Sequence, residues 1–68
     1  MTDNKDIEKS YARAFASAEG ARVLEHLRSI TIERFLGPDA SDAALRHLEG
    51  QRALVHQIEL LIERGKNG

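Results

Sequence analysis

Between Tyr11 and Leu27 two amphipathic helical patterns meet across a short joint, Ser17-Ala18-Glu19-Gly20, with no linker between them. On the first side Ile7, Tyr11, Ala14, Phe15 and Ala18 recur at intervals of three and four, which gathers them on one helical face. On the second side Val23, Leu24, Leu27 and Ile30 form another stripe. Helices joined this closely must turn on each other at the joint. Ser17 suits the N-cap of the second helix and Glu19 its first turn, where a carboxylate meets the positive end of the helix dipole. Gly20 costs about 1 kcal/mol relative to Ala inside a helix. Close approach of the two helices at the corner accounts for it; a frayed turn is the alternative.

Downstream, Ile30-Thr31-Ile32 is a β-branched cluster, and Ile32 leaves the stripe set by Val23 and Leu27. The second helix therefore ends near Ser29 or changes its burial partner there. Phe35 and Leu36 carry apolar character up to Gly37-Pro38-Asp39, the strongest breaker in the chain. A strand over 29–36 would be solitary, with no sheet to join, so 29–40 reads as irregular or helical. Ser41 caps a third helix, with Asp42 in its first turn. Ala44, Leu48, Val55, Ile58 and Ile62 form one row on it, flanked by Leu45, Leu54, Leu60 and Leu61. Gly50 interrupts it and marks close packing, a bend, or plain tolerance. The expected helices are about 3–16, 18–30 and 41–64, with 65–68 a disordered tail after Gly65.

The fold class expected is all-α: one small three-helix domain, a helical hairpin packed on a long C-terminal helix. Tyr11, Phe15, Val23, Leu24, Leu27, Leu48, Val55, Ile58 and Ile62 are its expected core. A chain of 68 residues is marginal for this purpose, because a domain this small buries only about 60% of the surface its unfolded form exposes. Such scaffolds commonly lean on disulfides, a metal or a partner. With no Cys, disulfides and thiolate metal sites are excluded. The apolar sector of the third helix is broader than two short helices can cover. That points to docking, on copies of itself or on a larger protein.

Charge is nearly balanced, ten Lys and Arg against eleven Asp and Glu, and acidic residues interleave with the Arg throughout. Nucleic-acid binders draw affinity from a basic stripe or tail, so this pattern disfavours nucleic acid as a partner. From Thr2 to Lys9 only Ile7 is apolar, unlike a signal peptide. No run approaches the ~20 apolar residues of a membrane span, and no membrane association is expected.

Residues for catalysis are scarce. His26, His47 and His56 are the only imidazoles, and no two stand at the i, i+4 spacing of a zinc helix. They read as helix-surface histidines. The serines show no nucleophile elbow, the glycines no phosphate loop, and Glu59 with Glu63 reads as a solvated face. No enzyme activity, catalytic residue, cofactor, metal or small-molecule substrate is expected.

The pattern Tyr11-x-x-x-Phe15-x-Ser17-x-x-Gly20-x-x-Val23-Leu24-x-x-Leu27, with Glu49-Gly50-x-Arg52-Ala53-Leu54-Val55 followed by Ile58 and Leu61, resembles a family of small phage domains. That family is named after a virion-associated protein of a Bordetella podovirus. The resemblance spans roughly residues 10–61. It implies a non-enzymatic phage structural or assembly protein, found in the virion or the host cytoplasm, with a phage structural protein or itself as partner. Ile32, Phe35, Leu36, Leu54 and Leu61 are the apolar residues expected at the partner contact, and Arg52 is expected to meet a neighbour's carboxylate. The alternatives are a small phage-encoded DNA-binding regulator and an inhibitor of a host protein. For the regulator, the would-be recognition helix 18–29 offers Arg22 and Arg28 but also Glu19 and Glu25, and lacks the Asn, Gln, Ser and Lys spread that reads bases.

Overall fold

The computed structural model describes residues 4–67. It is all-helical, with α1 at Asn4–Ala14, α2 at Ala18–Ser29 and α3 at Asp42–Asn67. The expected start at Asp3 and the last tail residue, Gly68, lie outside the described residues.

Both serines act as caps. Ser17 is extended (φ −72°, ψ 160°), and its Oγ accepts a hydrogen bond from the Gly20 backbone N–H at 3.0 Å. The Ser41 Oγ accepts one from the Ala44 N–H at 3.1 Å. Each satisfies a donor that the helix itself leaves unpaired. Gly20 does mark a close approach: a Cβ built there would lie 2.2 Å from the Ala14 carbonyl oxygen.

The α2 helix unwinds at the β-branched cluster. The amides of Thr31 and Glu33 both donate to the Arg28 carbonyl, at 3.2 and 3.0 Å. The Ala40 N–H then closes a turn onto the Gly37 carbonyl at 3.0 Å, with Pro38 in the position whose φ its ring already fixes. The connection between α2 and α3 is irregular, with turns and no strand.

Helix α3 passes the expected stop at Arg64 and continues through Gly65 to Asn67. Gly65 does not adopt the positive φ of a terminating glycine. It is a point of close approach by α1: a Cβ there would come within 2.1 Å of the Glu8 carbonyl oxygen and 2.8 Å of the Ala12 Cβ. A residue that reads as a helix stop is thus a contact residue, and 65–67 are helix rather than tail. At Gly50 no atom lies within 4 Å of a built Cβ, so tolerance rather than packing explains it.

Packing of the short helices on α3 is unequal. Most of it comes from α1, while α2 meets α3 only sparsely. Leu48, Val55 and Ile62, seven residues apart, are the buried apolar row. Tyr11, Phe15, Leu24, Leu27 and Ile58, expected in the core, are half-buried. Val23 is corrected outright: it is 52% exposed, on a helix that meets α3 only sparsely. No large side chain among the described residues is fully enclosed. The radius of gyration is 14.3 Å, against about 11 Å for a compact chain of this length.

Candidate interaction surface

Two polar fastenings tie the end of α2 and its following turn to α3. Arg28 forms an ion pair with Glu59, across 31 residues of sequence, and stands 3.9 Å from Glu33. Glu59 in turn lies 3.6 Å from the Nδ1 of His56. Arg52 donates from Nε to the Thr31 carbonyl at 3.0 Å and from Nη2 to the Arg34 carbonyl at 2.5 Å. Its Nη1 reaches Glu49, one turn earlier on α3, at 2.6 Å. The planar fork of a guanidinium suits this triple duty, since its N–H vectors diverge at fixed angles. Thr31 is buried beneath the clamp, its Oγ donating to the Leu27 carbonyl at 2.6 Å.

Arg52 therefore binds inside the chain, with Glu49 of its own helix as its carboxylate. The expectation for Arg52 is a neighbour's carboxylate; the carbonyls it holds are 18 and 21 residues away, where no spacing rule reaches.

The fastened parts frame an apolar groove. Leu27, Ile30, Thr31 and Arg34 line one side, and Gln51, Leu54 and Val55 the other. Leu54 is 62% exposed and Ile30 43% exposed. Beside the groove in sequence stands Phe35, 92% exposed, the most solvated large apolar residue of those described. Of the residues expected at a partner contact, Leu54 and Phe35 are open to solvent, whereas Ile32, Leu36 and Leu61 are half-buried. Leu61 lies seven residues beyond Leu54, on the same side of α3. Ile30 was absent from that expectation. It read as the last member of an inward stripe, and only the unwinding at Thr31 turns it into a groove wall.

A second depression, lined by Lys5, Glu8, Lys9, Arg64 and Gly65, lies where α1 meets the end of α3. Its Arg64 also complements the negative end of the α3 dipole. His26, His47 and His56 belong to no cluster able to hold a metal among the described residues. No described helix is long and apolar enough to cross a membrane.

Residues 11–64 match the family model of the Bbp19-like phage proteins. The match covers the last turn of α1, all of α2, the connection and nearly all of α3, including both segments on which the resemblance rests. The chain has no match among curated proteins and none among solved structures.

Proposed function

Since the chain belongs to the Bbp19-like phage protein family, we propose that it is a non-enzymatic structural or assembly protein of the phage, working through protein–protein contacts in or on the virion. The observation that carries this reading is the groove between α2 and α3, with Leu54 and Ile30 on its walls open to water and Phe35, next in sequence to the wall residue Arg34, open as well. A chain with so small a core gains more from covering these side chains than from leaving them solvated. Each large apolar side chain moved from water to a fully buried contact contributes about 1.5–3 kcal/mol. The groove is framed in advance by Arg52 and the Arg28–Glu59 pair, so a partner meets a shaped surface rather than a loose loop.

Quantitative mass spectrometry of purified particles tests the proposal. The chain is expected at a fixed copy number per particle, in proportion to the other structural proteins and resistant to salt washing. A chain abundant in infected cells yet missing from particles and assembly intermediates would overturn it. Retention on duplex DNA that weakens steeply with salt would overturn it in favour of a regulator.

A further inference from the structure

The chain exposes 5335 Å² of surface for a mass of 7.6 kDa. A compact monomer of that mass exposes about 4,300 Å². The excess, roughly 1,000 Å², is comparable to the ~800 Å² that each partner loses in a standard stable protein–protein interface. The radius of gyration, 14.3 Å, is extended in the same sense, and on α3 the apolar Leu45, Leu54 and Leu60 stay exposed.

We propose that a second copy of this chain covers that surface, docking about a two-fold axis so that Phe35 of each protomer meets the Ile30–Leu54 groove of the other. This deepens the reading above by supplying the partner, and rests on it only in treating the groove as a contact surface.

Three observations favour a second copy as occupant. First, the surplus area of one chain is of the size a stable dimer buries from each protomer. Second, projection and groove occur on one short stretch: Arg34 lines the groove and Phe35 follows it. A two-fold axis lets both projections and both grooves be filled at once in a closed pair. A head-to-tail contact would leave one of each open and propagate into a filament. Third, the net charge is −1, so two copies approach without appreciable repulsion. The rim at Arg34 and Gln51 is polar, as the rim of an interface core should be.

Sedimentation equilibrium on the full chain, from about 5 to 500 μM, reads the proposal directly. The wild type is expected to show twice the chain mass in the upper part of that range. Phe35→Asp and Leu54→Lys, each made twice across the axis, are expected to raise the dimer dissociation constant at least ~100-fold. Both positions are solvated in the single chain, so helical circular dichroism should be retained. Val23→Asp, on an exposed part of α2 outside the groove, is expected to leave the mass unchanged. A wild type that stays monomeric to 500 μM overturns the proposal. So does a dimer indifferent to Phe35 and Leu54, or one equally weakened at Val23, and open-ended polymers overturn the two-fold geometry. A particle protein that sediments as a monomer removes this inference and leaves the virion reading standing. A dimer missing from particles does the reverse.

Discussion

Gly20, Gly50 and Gly65 carry the same backbone freedom in three different surroundings, and alanine distinguishes them. At Gly50 the added methyl meets nothing within 4 Å, so only the propensity gain is left. Gly50→Ala is expected to raise stability by about 1 kcal/mol, read from urea midpoints at concentrations dilute enough to report the single chain. At Gly20 and Gly65 the methyl runs into backbone of α1, at 2.2 and 2.1 Å from carbonyl oxygens that have no rotamer to escape into. Overpacking of that kind costs about 1–3 kcal/mol, so Gly20→Ala and Gly65→Ala should shift the midpoint downward despite their better helix propensity. Equal gains at all three positions would contradict the close approach of α1 to both other helices. Gly20 could be read from sequence because its neighbours on both sides were helical and a corner had to fall between them. Gly65 could not: a glycine just beyond the last periodic residue is the ordinary sign of a helix end, and nothing in residues 61–68 announces that Glu8 and Ala12 press against it.

At the level of elements, local chemistry was legible and long-range polar chemistry was not. Ser17 and Ser41 cap the helices they were expected to cap, and Gly37-Pro38 makes the break, because each acts within four residues of itself. Of the apolar residues expected at a partner contact, Leu54 and Phe35 are exposed while Ile32, Leu36 and Leu61 are half-buried. The helical pattern does not apportion the packing: α1 carries most of it on α3, while the end of α2 is held largely by Arg28 and Arg52. These two depend on carboxylates and carbonyls far along the chain. If Arg52 is the clamp, Arg52→Lys should release the turn after α2, since an ammonium cannot span two carbonyls in the plane of a guanidinium. Hydrogen exchange at the Glu33 and Arg34 amides is expected to quicken by about tenfold, equivalent to about 1.4 kcal/mol of lost local protection. Amides at the centre of α3 should keep their rates. Unchanged exchange at Glu33 and Arg34 would mean that their turn is held by its own backbone bonds alone.

At the scale of the whole molecule, the decisive fact is that among the described residues three apolar side chains in one row, Leu48, Val55 and Ile62, make up the buried core. A chain of this length holds about 3–10 kcal/mol of stability at the usual value per residue, and so thin a core places it at the low end when alone. Ile62→Ala removes about 2–5 kcal/mol, enough to unfold much of a dilute sample at 37 °C. Association adds stability by mass action, and for a dimer the melting temperature should climb with concentration. A tenfold increase contributes about 0.7 kcal/mol per chain, which for a domain of this size corresponds to about 3–6 °C. The two classes of substitution should then separate in one calorimetric series. Ile62→Ala lowers every melting temperature but keeps the slope against log concentration, because the groove is intact and the core is not. Phe35→Asp, which touches no core residue, flattens the slope and leaves the dilute melting temperature near that of the dilute wild type. Wild-type curves that superimpose from 5 to 500 μM would mean that the Leu48–Val55–Ile62 row and the α1 contacts hold the fold by themselves, and that the open groove adds nothing to it.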